Sequence, residues 1–162
     1  MRFNDSHKGF SLVELLVVVA IIGIIAAIAI PNLLASRRAA NEGAALSAMR
    51  TIHSAQVTYL NTAGAGDYGT LAALGLEGLV DSKLGGGSRS GYTFNCPAGN
   101  ITGGPPPTYF ATAVPTSTAP VARTGHRSFA ITDDGKIRGK VTDAGPANYS
   151  TATNSGTWPV LN

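Results

Sequence analysis

The chain begins with nine polar residues that set Arg2 and Lys8 against Asp5, and then turns abruptly apolar. From residue 10 to residue 30 the only charge is Glu14, and residues 15–30 carry none. As a helix rising about 1.5 Å per residue, this stretch spans about 31 Å, the thickness of a bilayer's hydrocarbon core. A secretory signal would have a shorter apolar region closed by a small-x-small cleavage site. Here Pro31-Asn32-Leu33-Leu34-Ala35-Ser36-Arg37-Arg38 follows and continues as helix, so the segment reads as a retained membrane anchor.

Beyond Pro31 the pattern becomes amphipathic. Ala45, Ala48, Met49, Ile52, Ala55 and Tyr59 recur at spacings of three and four, which defines one helical face. Arg37, Arg38, Asn41, Glu42 and Arg50 interrupt it. The expectation is one continuous helix over residues 10–62, about 80 Å long at the usual rise, stopped by Gly64-Ala65-Gly66. Its second half should pack one face on a globular head. Arg37, Arg38 and Glu42 read either as a solvated face or as charge bridges between subunits.

The remaining residues predict that head. Residues 68–84 read as a short helix with Leu71, Leu74, Leu79, Val80 and Leu84, broken after Leu84 by Gly85-Gly86-Gly87-Ser88. Residues 91–95, which alternate Tyr92 and Phe94, and residues 109–114 read as strands separated by a stiff loop at Pro105-Pro106-Pro107. Residues 127–131 and 136–141 flank Asp133-Asp134-Gly135, a hairpin signal. About four antiparallel strands are thus expected to form a sheet on the amphipathic helix. The segment after Val141 reads as loop, with Trp158, Val160 and Leu161 tying down its end. The expected divisions are 1–9, 10–31, 32–63 and 64–162, in an α+β architecture.

Composition narrows the chemistry. Charged residues make up 13% of the 162 residues, against about 25% in a usual soluble domain. The net charge of +3 is scattered, so no specific nucleic-acid site is evident. Cys96 is the single cysteine, which excludes an intramolecular disulfide and a cysteine-built zinc site. His53 lies one step off the apolar stripe, His126 precedes a strand, and neither belongs to a hydrolase or phosphate-binding motif. Cys96 reads as a semi-buried hydrophobe, and Asp133-Asp134-Gly135 as a turn with too few acidic neighbours to hold calcium. No catalytic residue, metal or cofactor is assigned, and the chain is not expected to be an enzyme.

Glu14 stands out against this background. A carboxylate in hydrocarbon costs about 2.5–3.5 kcal/mol on insertion scales. It either stays wet near the headgroups or pairs with a positive group on another copy, such as a free amino terminus at Phe10. The surrounding Lys8-Gly9-Phe10-Ser11-Leu12-Val13-Glu14-Leu15 resembles the processing motif of type IV prepilins and of the pseudopilins of type II secretion. The close resemblance covers about residues 8–38.

That resemblance implies the pilin fold: a long N-terminal helix packed on an antiparallel β-sheet head. It also implies a leader, residues 1–9, that lies in the cytoplasm and is cut after Gly9 by a prepilin peptidase, which then methylates the Phe10 amino group. In this reading Glu14 neutralises the amino terminus of a neighbouring subunit. Val17, Val18, Val19, Ile21, Ile22, Ile24 and Ile25 then bury against other copies in a helical homopolymer. Gly23 and Pro31, both unfavourable inside a helix, read either as a packing notch and a kink or, by the resemblance, as bounds of a stretch that unwinds in the filament. The implied partners are further copies, related minor pilins and an assembly platform in the inner membrane. The implied course runs from a single-pass inner-membrane precursor to an extracellular filament.

Three functions follow as expectations: a type IV pilus subunit serving adhesion, motility or DNA uptake; a type II secretion pseudopilin; or a monomeric membrane-anchored enzyme or receptor. The first is favoured, because the head lacks the acidic loop that major pseudopilins use for calcium and because the third leaves Glu14 unexplained.

Overall fold

The computed structural model describes residues 9–97 and 106–161. Of the sequence-stretches named above, residues 1–8 of the leader and Pro105 lie outside the described residues. The chain divides into two compact units, one ending at Ser36 and the other running from Arg37.

The longest element is helix α1, Leu12–Asn61, which agrees with the expected helix to within two residues at each end. It stays helical through Gly23 and Pro31. In the first unit its apolar side chains are exposed. In the second unit Ala45, Ala48, Met49, Ile52 and Ala55 are buried, as the spacing predicted, and Gln56 is buried with them. The helix ends where the Gly64 N–H donates to the Tyr59 carbonyl at 2.7 Å and the Gly66 N–H to the Leu60 carbonyl at 3.1 Å. These bonds satisfy carbonyls that a helix terminus would otherwise leave open.

The single helix expected over residues 68–84 is two helices, α2 (Leu71–Leu76) and α3 (Ser82–Gly85). Gly78 between them takes a left-handed φ of 67°, a conformation glycine adopts without a Cβ penalty. Each helix carries its own N-cap. The Thr70 hydroxyl accepts from the Ala73 N–H, and the Asp81 carboxylate accepts from the Lys83 and Leu84 N–H groups.

The sheet has five antiparallel strands in sequential order, β1 (Ser88–Arg89), β2 (Tyr92–Asn95), β3 (Phe110–Pro115), β4 (Ser128–Thr132) and β5 (Ile137–Lys140). Strand β1 is the addition to the expected four. The β4–β5 hairpin turns at the predicted Asp133-Asp134-Gly135, with Gly135 at a φ of 70°. The cross-strand pairs Phe94↔Ala113, Ala113↔Phe129 and Ile131↔Ile137 put these residues on the face that packs against α1.

The opposite face is covered too, so β4 is buried along its whole length. Phe110 and Ala130 pack there with Ala152 and Trp158. The segment after Val141, read from sequence as loop, contains a short helix α4 (Tyr149–Thr153) capped by Asn148. As expected, the chain end is tied down. Trp158 is buried, the Gly139 N–H donates to the Pro159 carbonyl at 3.0 Å, and the Leu161 N–H donates to the Ile137 carbonyl at 2.9 Å.

Candidate assembly site on the N-terminal helix

The site begins just before α1. Gly9 and Phe10 are exposed and non-helical, two residues ahead of the first helical turn. Glu14 lies in that turn, where the unpaired N–H groups of a helix start favour a negative charge. Among the described residues Glu14 has no ion-pair or hydrogen-bond partner, so its carboxylate is available to another molecule.

The helix beyond Glu14 is apolar around its full circumference. Val17, Val18 and Val19 are consecutive, as are Ile21 and Ile22 and then Ile24 and Ile25, so every side of the cylinder carries β-branched carbon. A helix apolar all round belongs in lipid or in a dry bundle. None of its best 18-residue window is buried, and that window's mean hydropathy is 3.0, long and apolar enough to cross a membrane. Val17, Val18, Ile21, Ile22 and Ile25 are each between 47% and 61% exposed. Covering the large apolar side chains between positions 10 and 33 is worth on the order of 20 kcal/mol, at about 1.5–3 kcal/mol for each fully buried one. Water is therefore a poor surrounding for this segment.

Two residues of low helix propensity lie inside this helix. Pro31 has no N–H to give the Ala27 carbonyl, four residues back. Gly23 adds backbone freedom eight residues earlier, and open space surrounds the position its Cβ would take. The sequence thus gathers Gly9, Phe10, Glu14 and the apolar residues along one short run, with Gly23 and Pro31 further down the same helix.

Comparison with known proteins bears on this same run. Residues 4–30 match the family description "Prokaryotic N-terminal methylation motif". The chain is 42% identical over 60 residues to the type IV major pilin protein PilA of Myxococcus xanthus, a match covering 37% of this chain and 27% of that relative. It is 66% identical over 35 residues to the type IV wide pilus major component PilA4 of Thermus thermophilus, covering 22% of this chain and 27% of the relative. Over its N-terminal residues the chain is thus similar to type IV pilins. A third relative is the type II secretion system core protein G of Escherichia coli, 36% identical over 59 residues, or 36% of this chain and 41% of the relative. The chain therefore spans between about a quarter and two fifths of the length of these relatives. No solved structure matches it.

The globular head contributes polar anchors that sequence reasoning missed. Gln56 occupies a stripe position where the period calls for an apolar residue, and that mismatch is the signal that could have exposed it. Its amide bonds both backbone groups of Gly69 and also donates to Cys96 Sγ at 3.1 Å. Burial pushes the Cys96 thiol up to about 12, against the hydrogen bond from Gln56, so the cysteine is a buried hydrophobe rather than a nucleophile. His53 Nδ1 lies 2.6 Å from the Tyr109 hydroxyl, whose phenol is raised chiefly by burial.

Asp133-Asp134-Gly135 serves the hairpin. Burial raises the Asp134 carboxyl, but hydrogen bonds from Arg138 and Thr132 outweigh it and hold the group down to about 2. Among the described residues no three His, Cys, Asp or Glu side chains gather as metal ligands. Glu42, left between a solvated and an intersubunit role, is engaged within its own chain. It accepts from the His126 N–H at 2.8 Å and from Arg127 Nε at 3.0 Å.

Proposed function

We propose that this chain is a structural subunit of a type IV pilus, anchored in the membrane by residues 10–31 before it polymerises through them. The observation that carries this reading is a helical segment, residues 12–31, that is apolar on all sides, unburied within its own chain, and bears at its start a single carboxylate with no partner among the described residues. Helices in lipid gain nothing hydrophobic from association, so packing and polar pairs must hold them together. A Glu14–ammonium pair in a low-dielectric bundle is strong and sets register. The matches to two pilus major components support the same reading.

In this mechanism the prepilin peptidase cleaves the exposed Gly9–Phe10 bond and methylates the new amino group. Glu14 of one subunit then receives the Phe10 ammonium of its neighbour. Extraction by the inner-membrane platform buries Val17, Val18, Ile21, Ile22 and Ile25 against equivalent residues of other copies and related minor pilins. The head stays outside the cytoplasm throughout. Gly23 and Pro31 bound the stretch that unwinds when the filament extends, and residues 32–63 carry the head at 64–162. The match to core protein G keeps a second reading, a pseudopilin of type II secretion.

The deciding measurement is the intact mass of the protein recovered from filaments sheared off cells. The expected mass lacks residues 1–9 and carries one extra methyl group. A full-length mass found only in membranes would overturn the proposal, and a processed form confined to the cell envelope would favour the pseudopilin.

A further inference from the structure

The loop of residues 116–127 leaves the sheet at the end nearest the start of the second unit. Just before β3, the Tyr109 hydroxyl lies 2.6 Å from His53 Nδ1. Past the other end of β3, Asn41 Nδ2 donates to the Thr124 carbonyl at 3.0 Å, and Glu42 accepts from the His126 N–H and from Arg127 Nε. Strand β3 therefore runs toward the N-terminal end of α1. The twelve residues from Asn41 to His53 cover about 18 Å of helix. The loop is thus fastened beside the first residues of the second unit, where Arg37 and Arg38 are the first charges after Glu14.

This loop is held in shape, and its tip is apolar. Its limbs are joined by the Thr124 N–H donating to the Ser117 carbonyl at 3.1 Å and the Ser117 N–H donating to the Thr124 hydroxyl at 3.2 Å. The Ala122 N–H closes the tip on the Ala119 carbonyl at 3.1 Å. Between the limbs Ala119, Pro120, Val121 and Ala122 are all exposed, Val121 to 81%. Four consecutive exposed apolar residues are unfavourable in water unless another surface covers them. Because hydrogen bonds already fix the loop, seating it on such a surface costs little further ordering.

We propose that the tip Ala119-Pro120-Val121-Ala122 seats in the interfacial layer of the bilayer that surrounds the anchor, as a second hold of the head on the membrane. This rests on the membrane anchoring of residues 10–31 proposed above. Depth along the helix selects the partner. From Asn41 back to Arg37 is four residues, about 6 Å, and the headgroup layer on each side of a bilayer is about 5–8 Å deep. Val121 lies three residues beyond Thr124, a reach of at most about 10 Å, which is enough to come level with Arg37. Arg37 is itself exposed, and a guanidinium matches the geometry of a lipid phosphate. Interfacial binding draws on both terms, buried apolar area and basic groups beside anionic headgroups.

The test uses the full chain, one copy per nanodisc of phosphatidylethanolamine and phosphatidylglycerol, with bimane on one introduced cysteine; Cys96 is buried. The label is placed in turn by Val121→Cys, by Leu76→Cys at an exposed apolar position on α2, and by Ile25→Cys within the anchor. With a nitroxide lipid labelled near the top of its acyl chain, emission at position 121 is expected to fall about twofold, and emission at position 76 to stay unchanged. A nitroxide at the chain end should quench position 25. Quenching at 25 without quenching at 121 would overturn the proposal and leave the anchor standing. Equal quenching at 121 and 76 would mean that the head lies on lipid without using this tip, and would also overturn it. A label at 121 that is open in discs but shielded from aqueous iodide in sheared filaments would give the tip to a neighbouring copy instead. No quenching at 25 would remove the anchor itself, and the proposal with it.

Discussion

Gln56 holds Gly69 by both of its backbone groups: the side-chain Nε2 donates to the Gly69 carbonyl at 2.6 Å, and Oε1 accepts the Gly69 N–H at 2.9 Å. One amide thereby satisfies both backbone groups of a buried residue and ties the chain after α1 back onto the helix. Replacing it with an apolar residue of similar size leaves a buried donor and acceptor unpaired, at about 1–3 kcal/mol each. Gln56→Leu is therefore expected to lower stability by about 2–4 kcal/mol, measured by urea unfolding. The single tryptophan, Trp158, is buried and provides the fluorescence signal.

The pair Asp134–Arg138 should govern the acid limb of the stability curve. Arg138 is only 5% exposed, and its Nη2 lies 2.6 Å from Asp134 Oδ2. Asp134 titrates lower in the folded chain than its ordinary value near 3.9, so the folded state binds fewer protons in that range. Its contribution is full above about pH 4 and is lost as pH falls through about 2. Asp134→Asn should cost about 2–4 kcal/mol at neutral pH, because Arg138 is left buried without its counter-charge. The same variant should flatten the unfolding curve between pH 4 and pH 2.

Much of this was legible in the sequence, and the parts that were not share a physical reason. The amphipathic half of α1 and the β4–β5 hairpin announce themselves locally, through the spacing of Ala45, Ala48, Met49 and Ile52 and through Asp133-Asp134-Gly135. The N-terminal methylation motif matched over residues 4–30 is equally local, since it depends on an order of residues and not on a fold. Strand β1 is two residues with neither side chain buried, so it leaves no alternation to read. Helix α4 has the sequence YSTAT, composed largely of weak helix formers. It owes its place to the Asn148 cap and to Ala152 packing beside Trp158. The contacts of Glu42 with His126 and Arg127 join residues 84 and 85 positions apart, a distance over which periodicity carries no information.

Cys96 should be inert while the head is folded. Its side chain is buried, and thiolate formation is suppressed by that burial. Maleimide at pH 7 is expected to leave the native chain unlabelled and to add one label after urea unfolding, as read by intact mass. Rapid labelling of the native chain would mean that the core around Gln56 opens readily.

Trp158 should matter well beyond its position near the end of the sequence. Trp158→Ala uncovers Phe110 and Ala130 on the outer face of the sheet, and a loss of about 3–5 kcal/mol is expected. Because the tryptophan signal is lost in this variant, far-ultraviolet circular dichroism is the measurement.

Glu14→Ala tests the start of the helix. Cleavage after Gly9 should continue, because the bond is exposed and lies outside the helix. Filament yield should fall at least tenfold, which corresponds to a coupling of about 1.4 kcal/mol or more. Yield is measured by shearing and quantifying surface filaments. Unchanged yield would remove Glu14 from assembly.

The way the chain end lies along β5 bears on crowding. Sheet edges with free amide rows invite strand-to-strand annealing between molecules, the first step toward amyloid-like deposits. Here Pro159 and Leu161 occupy backbone groups of Gly139 and Ile137 on one edge. The other edge is the two-residue β1, whose Arg89 is drawn to Asp81. In the proposed filament, identical heads held at high density would thus have little opportunity to zip together through their sheets, and the order of the array would fall to the helices.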